Sequence, residues 1–356
     1  MVCRNSKNEV ISLTITLQVK LFPSKEQVLL INNTMNEYIS LVNDIIDYAI
    51  AIDKMPKLSS ANLNAPLPAA LKDQCRIDAR SIYKKFIKSN SMCPVLKKPV
   101  AIWNNQNYTI GSDYIAMPFC MNGKTKKTSV PAIIPQEIHS KLKDSKLGTL
   151  RITKKNGKYI AQIACTIAES LNIGKNIMGV DLGLKCPAVI TTSTNKCKFC
   201  GNGRQNKYVR RKYAKRRKKL GKAKKLKAIK KLDNKEQRWM KDQDHKISRQ
   251  IVNYAIANDV KLIKLESLTG IRASARTSRK NEKNLHTWSF YRLAMFIEYK
   301  AKLTGIDIQY VNPAYTSQTC PICGKRHKAK GRKYVCKDCG YICHRDRVGS
   351  INILRA

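Results

Sequence analysis

Four cysteines and three acids carry the chemistry this sequence offers. Cys320/Cys323 and Cys336/Cys339 form two Cys-x-x-Cys pairs separated by twelve residues, with a glycine after each pair. That spacing folds two knuckles around one tetrahedral ion. Four thiolates leave no position for water, so one structural Zn²⁺ is expected. Cys343, His327 and His344 lie nearby, but each would break the knuckle spacing. Cys197 and Cys200 repeat the Cys-x-x-Cys pattern without a second pair to complete it, and no metal role is expected of them. Asp346 follows Cys339 by seven residues and opens a short amphipathic helix. Asp181 sits inside the apolar run NIMGVDLGLKCPAVITT (176–192), and Glu266 ends the strand pattern VKLIKLESL (260–268). A carboxylate in a buried strand is costly unless it is paired or holds a metal. Taken alone, Asp181 could equally cap a turn through its own backbone. Three acids far apart in sequence but placed on core elements point instead to one shared site. Two divalent ions about 3.5–4 Å apart, bridged by such carboxylates, activate water and stabilise the leaving oxygen of a phosphodiester. Mg²⁺ suits an all-oxygen site that keeps open waters.

The elements that must position these groups are legible in outline. Residues 11–22 alternate apolar and polar and predict a strand. Pro23-Ser24 followed by Glu26-Gln27 marks a helix start, and helical spacing runs over Val28–Ile52 until Pro56. Lys57–Pro68 reads as a loop, and Leu71–Lys88 returns to helical spacing. Short strands with Gly, Asn and Asp turns fill Val95–Ala168, including a hairpin at Asn156-Gly157. Trp103, Tyr108 and Tyr114 in this region could stack on bases, though core packing is the commoner use. Beyond Asn172–Lys175, strands and helices alternate. One helix is predicted over the basic run Arg204–Lys231 and another over Lys235–Ala257. The second has Trp239, Ile247, Ile251, Tyr254 and Ala255 on its buried face and Asp242, Asp244, His245 and Lys246 on its polar side. For His245 a structural or phosphate-contacting role is expected. Ile271–Lys283 reads as a mobile loop, Trp288–Leu303 as a helix and Ile306–Val311 as a strand.

Charge narrows the partners. Sixty-nine Lys+Arg against 24 Asp+Glu give the 356-residue chain a net charge of +45. Such a field draws polyanions, and nucleic acid is the first candidate. The run 204–231 holds 16 Lys/Arg and no acid. It would repel itself without phosphates to neutralise it. Its densest part, Arg210, Arg211, Lys212, Lys215, Arg216, Arg217, Lys218 and Lys219, is expected to contact nucleic acid. The polar N-terminus resembles no signal peptide, and the longest apolar-rich segment carries acids, so no membrane span is expected. Thirteen cysteines then imply a reducing compartment, most simply the cytoplasm.

The segments GVDLGLKCPAVI, IKLESLTGI and CPICG…CKDCGY…HRDRVGSINIL resemble the RuvC-like nuclease of TnpB proteins. These are encoded by insertion sequences and are related to type V CRISPR effectors. DQDHKISRQIV (242–252), NPAYTSQTC and PSKEQ support the resemblance, which spans most of 176–356 and is weaker before it. It implies a multidomain α+β and α/β fold. A β-barrel wedge domain (1–23 and 91–170) carries a helical recognition insert (24–90). An RNase H-like RuvC domain (171–319 and 340–356) carries an inserted zinc ribbon (320–339). It further implies Asp181, Glu266 and Asp346 as catalytic Mg²⁺ ligands, Cys320, Cys323, Cys336 and Cys339 as Zn²⁺ ligands, and two partners. The partners are a guide RNA derived from the element's own end and a double-stranded target DNA, cut beside a short adjacent motif. Two departures stand out. Many relatives have an acid two positions before the third catalytic Asp and alanines after it, where this chain has His344 and Gly349-Ser350. Competing readings are an RNA-guided regulator that binds without cutting and a resolvase or transposase that needs no RNA. A eukaryotic homologue would work in the nucleus, with the basic run as its signal.

Overall fold

The computed structural model describes residues 12–89, 92, 94–168, 172–232, 234–270 and 289–356. The expected loop 271–283 and the first residue of the helix expected from Trp288 lie outside these residues. Two units emerge, Met1–Ala168 and Glu169–Ala356.

In the first unit, β1 (Ser12–Leu21) leads through Ser24 into α1 (Lys25–Ala51). Ser24 Oγ accepts from Gln27 N, and Gln27 Oε1 accepts from Ser24 N, the reciprocal cap that the Ser-Lys-Glu-Gln sequence encodes. Next come α2 (Ala69–Ser89), β2 (Val100–Trp103), β3 (Thr109–Ile110), β4 (Tyr114–Met121), β5 (Lys124–Ile133), α3 (Gln136–Lys143), β6 (Lys146–Lys155) and β7 (Lys158–Ala168). Asn156 and Gly157, at φ 51° and 75°, make the tight turn between β6 and β7. The strand order is β2-β6-β7-β1-β5-β4-β3. Among the described residues the ladder ends at β2 and β3, so the β-barrel that the family resemblance implies is seen as a half-barrel sheet. Helices supply what closure would have supplied: Ile31 and Tyr38 of α1 and Leu71 of α2 share one core with Trp103 and Ile115. Fully buried Trp103 donates from Nε1 to Pro118 O at 3.0 Å and packs edge-on against Phe119. Losing such a side chain costs about 3–5 kcal/mol. Trp103 and Tyr108 are core residues, and only Tyr114 is exposed.

The second unit is built on β8 (Asn176–Leu182), β9 (Ala188–Thr192), β10 (Cys197–Cys200), β11 (Val260–Glu266) and β12 (Asp307–Val311), ordered β10-β9-β8-β11-β12. The first three pair antiparallel, while β11 runs parallel to both β8 and β12. Alternation sorts the faces. Met178, Val180, Leu182, Ala188, Ile190 and Cys200 join the core formed with α6 (Lys235–Ile256) and α7 (Phe290–Lys302). Gly179, Asp181 and Thr191 point the other way, toward α8 (Arg345–Arg355). Gly179 has to be glycine, because a Cβ there would lie 2.2 Å from Ser350 O and 2.6 Å from Leu354 N. Ser350 Oγ and Thr191 Oγ1, both buried, share a hydrogen bond of 2.6 Å across this contact.

Two helical expectations change. The basic run is two helices, α4 (Gly203–Lys222) and α5 (Leu226–Leu232), because the chain leaves helical geometry at Ala223 and Lys224 takes φ 52°. On α6, Asp244 belongs to the buried face. Arg292 of α7 donates to its Oδ2 from Nε at 2.7 Å and from Nη2 at 2.6 Å, and Ser289 Oγ donates to Oδ1. Trp239 is only partly buried, and Met240 takes the interior position. Among the described residues no helix is long and apolar enough to cross a membrane.

Candidate metal centres

The three acids come from three segments and meet on the α8 face of the five-stranded sheet. Leu265 of β11 is in register with Val180 of β8, so Glu266 and Asp181 follow as neighbours on adjacent parallel strands, about 4.8 Å apart in backbone spacing. Asp346 occupies the first turn of α8, where the helix dipole favours a carboxylate. The cap of that helix is His344, whose Nδ1 accepts from Asp346 N at 3.3 Å. One turn on, Gly349 leaves room for Asp181: a Cβ there would stand 2.9 Å from Asp181 Oδ2.

The electrostatics confirm the crowding. Burial, then the charges of Glu266 and Asp346, hold the Asp181 pKa well above the usual carboxylate range, against the opposing pull of Arg345 and Arg332. Burial also raises Glu266, partly offset by a hydrogen bond from Thr316 Oγ1 to Oε1. Asp346 is 5% exposed and receives Nη1 of Arg332 on both oxygens. Arg345 Nε lies 3.9 Å from its Oδ1. Half-buried Asp181, pushed toward its neutral form, and buried Glu266 and Asp346 offer hard oxygen donors. Their oxygens do not all lie within 4.8 Å of one another, and a divalent cation would relieve their repulsion and draw them together.

Arg332 and Thr316 are the partners that sequence reasoning missed. No local signal separates Arg332 from the other basic residues. A second cationic rim is also formed here, because α4 docks by its first turn on the β8–β9 turn. Gly203 N donates to Lys185 O at 3.0 Å. Lys207, one turn later, is lowered in pKa by burial and then by Arg211, Lys185 and Arg332. Among the expected nucleic-acid contacts, Arg211, Lys212, Lys215, Arg216, Arg217, Lys218 and Lys219 are exposed along α4. Arg217 is nonetheless paired with Glu236 at 2.7 Å. Arg210 is turned inward, within the fields of Glu236, Asp244 and Arg292.

The cysteine cluster is geometrically separate. Sγ atoms of Cys320, Cys323, Cys336 and Cys339 all lie within 4.8 Å of one another. The Cys320–Cys339 and Cys323–Cys336 separations are 3.6 and 3.5 Å. A tetrahedral ion with metal–sulfur bonds of about 2.3 Å sets an S···S edge of about 3.8 Å, which these separations approach. Gly324 and Gly340, at φ 74° and 70°, close each knuckle by donating back to Cys320 O and Cys336 O. Between and after the knuckles, β13 (Lys333–Val335) pairs with β14 (Ile342–His344), and β14 runs directly into α8. Cys343 lies in that hairpin, His344 packs edge-on against Phe199, and His327 bonds Asp338. The third pair, Cys197 and Cys200, lies on β10 with its members on opposite faces, so it forms no knuckle.

Comparison with known proteins fits this arrangement. The Cas12f1-like, TNB domain family matches residues 290–353. A TnpB-like protein of Methanocaldococcus jannaschii is 36% identical over 157 residues, 42% of this chain and 56% of that protein. The CRISPR-associated endodeoxyribonuclease Cas12f1 of Syntrophomonas palmitatica is 29% identical over 214 residues, 54% of this chain and 42% of that protein. Over these segments the chain is similar to TnpB-like proteins and type V effectors. It spans about half the length of these two relatives, as the 56% and 42% coverages state. The fold of Cas12f1, solved as a complex with sgRNA and target DNA, superposes with a TM-score of 0.72. That match covers 96% of this chain and 98% of that one at 16% identity. The multidomain α+β fold of that Cas12f1 is thus shared by this chain.

Proposed function

We propose that this chain is an RNA-guided DNA endonuclease of a transposable element, hydrolysing phosphodiesters with Mg²⁺ beside a short adjacent motif in double-stranded DNA. The observation that carries the reading is the meeting of Asp181, Glu266 and Asp346 from β8, β11 and α8. The strand order, three antiparallel strands followed by two parallel ones, supports an RNase H-like domain. Relatives named as an endodeoxyribonuclease and as a TnpB-like protein, and a Cas12f1 solved with sgRNA and target DNA, support the substrate and the guide.

In this reading Asp181, Glu266 and Asp346 would hold two Mg²⁺ ions. When bound, such ions supply a water nucleophile and charge for the leaving oxygen. The chain's own residues do the rest. Thr316 fixes one oxygen of Glu266, His344 and the α8 N-terminus orient Asp346, and Gly349 makes room for Asp181. Arg332 balances the excess negative charge on Asp346. A Zn²⁺ ion on Cys320, Cys323, Cys336 and Cys339 would hold the hairpin that carries Arg332 and enters α8. The half-barrel (1–23 and 91–170) and the helical segment (24–90) serve as wedge and recognition regions. The nuclease region comprises 171–319 and 340–356, with the ribbon at 320–339. In base-paired guiding, pairing reads sequence while basic protein surface holds the backbone.

The test is to purify the chain from cells that also transcribe the ends of its element, sequence the bound RNA, and assay plasmids with and without the matching target. One discrete RNA and cleavage of the matched plasmid alone are expected. Equal cutting of both plasmids after complete RNA removal would sink the guided reading.

A further inference from the structure

The geometry points to a second nucleic-acid site, a basic groove between β10, α6 and α7 on the reverse face of the five-stranded sheet, that holds the backbone of an RNA strand without cutting it. The groove is an open cavity of about 1040 Å³ whose cations are Lys198, Lys246, Arg249 and Lys300. No carboxylate lines it among the described residues. Lys246 does have a partner, Asp242 at 2.7 Å, one turn away along α6.

A solvated basic surface is the ordinary explanation on a chain of charge +45, and Lys300 is what argues against it here. Its side chain comes from α7 and the residue is only 4% exposed. The ammonium donates to His245 O at 2.7 Å and to Ser248 Oγ at 2.6 Å, both neutral acceptors. An ammonium has three donors, so one remains beyond these two. The Phe296 and Tyr299 rings stand 5.9 and 5.8 Å from this ammonium and offset part of the cost of burying it, and a phosphate oxygen would compensate the rest. Burial, then Arg249, pushes its pKa down to about 8, the direction a bound anion would reverse. Aromatic rings stand beside the cations: Lys198 Nζ lies 5.4 Å over the Tyr254 ring, and Tyr299 lines the same groove. Half-buried tyrosines next to cations suit a strand whose bases stack while its phosphates pair.

The choice of RNA rests on the function proposed above. Lys198 is in register with Ile190 and therefore faces α6, whereas Asp181 and Glu266 face α8. A strand in the groove has the sheet between it and the acids. Of the two nucleic acids in that reading, one is cut and one is kept, and this face suits the one that is kept.

The experiment uses the full chain carrying Asp181→Ala, stripped of copurified RNA, in EDTA, so that cleavage plays no part. The probes are a fluorescein-labelled single-stranded RNA oligonucleotide of mixed sequence and a DNA oligonucleotide of the same sequence, titrated by anisotropy over a range of salt. Adding Lys198→Glu and Arg249→Glu should weaken RNA binding tenfold or more. It should also reduce the slope of log affinity against log salt by about 1.4, which is two single-strand phosphate contacts. DNA affinity should fall less. Unchanged RNA affinity, or equal losses for RNA and DNA, would overturn the assignment. Crosslinking of 4-thiouridine RNA to the chain without the groove substitutions covers the case in which the charge reversals misfold. Adducts on Tyr254 or Tyr299 are expected, and adducts confined to 204–231 would contradict it. In parallel, the native chain is assayed for guided cleavage with Mg²⁺: its failure with these adducts formed would sink the proposed function alone, and cleavage with the adducts absent would sink the groove alone.

Discussion

The two candidate metal centres of the second unit differ in how the chain builds them. Cysteine ligands come from twenty consecutive residues, Cys320 to Cys339, two of them exposed, and local turns set their geometry. Carboxylates come from positions 181, 266 and 346, and long-range packing of α8 on β8 sets theirs. In the proposed reading the first centre is a fold-forming clip whose ligands have little else to do. The second is an electrostatic conflict held in place by everything around it, with Asp181 pushed toward neutrality by burial and by its two neighbours. The two are also mechanically joined. Cys320, Tyr334 and Cys336 share a small core with Val348 of α8, and Arg345 N donates to Arg332 O at 2.8 Å. A metal held by the cysteines would thus stabilise the helix that carries Asp346.

That coupling can be broken first from the cysteine side, with the largest effect expected. Structural zinc contributes apparent binding energies of about 10–16 kcal/mol to folding in small metal domains. Cys336→Ser should lose zinc by elemental analysis and raise amide exchange through 320–356, and cleavage should fall at least about a thousandfold. Normal zinc content with full activity would separate the two centres. Next in size is Gly179→Ala, whose methyl meets Ser350 O and Leu354 N. Overpacking of this kind costs about 1–3 kcal/mol, and displacement of α8 should lower cleavage about a hundredfold. Thermal unfolding and single-turnover cleavage read the two effects, and an unchanged Tm would refute the contact.

A third substitution tests the conflict itself. A carboxyl whose pKa is raised by folding favours the fold when protonated. That contribution is complete below about pH 3.9 and is lost as pH rises through the raised value. Asp181→Asn should therefore raise the Tm of the metal-free chain at neutral and alkaline pH by about 2–4 °C for each kcal/mol relieved. The gain should vanish in acid. A Tm gain independent of pH would mean that charge is not the cause. The smallest effect belongs to Gly349→Ala. Replacing a helical glycine gains up to about 1 kcal/mol in propensity, while the new methyl presses on Asp181 Oδ2. Tm should rise slightly and cleavage fall only a few-fold, because a carboxylate can move by tenths of an ångström.

The same contrast explains what could be read from the sequence. Knuckle spacing, the Ser24–Gln27 cap and the Asn156-Gly157 turn are local devices, and each is found where its residues stand. Acids embedded in apolar strands also stand out, because buried charge is rare without a purpose. Arg332 gave no such signal: in a chain with 69 Lys and Arg, a cation near an acid in space looks like any other. The pair Asp244–Arg292, 48 residues apart, defeated helical periodicity for the same reason, since its meaning lies in a different helix. Arg210 stands apart from its exposed neighbours, half-buried and within the fields of Glu236 and Asp244, which the basic run alone did not mark. The break at Lys224 was hidden because lysine is not the residue that marks a left-handed turn.

The most direct measurement is single-turnover cleavage of a matched double-stranded target by the RNA-loaded chain. It would be run with Mg²⁺ and with EDTA, for the native chain and for Asp181→Ala, alongside target binding. The account predicts cleavage only for the native chain with Mg²⁺, a loss of about a thousandfold or more in Asp181→Ala, and target binding retained by both. Cutting by Asp181→Ala at the native rate, or undiminished cutting in EDTA, would contradict it.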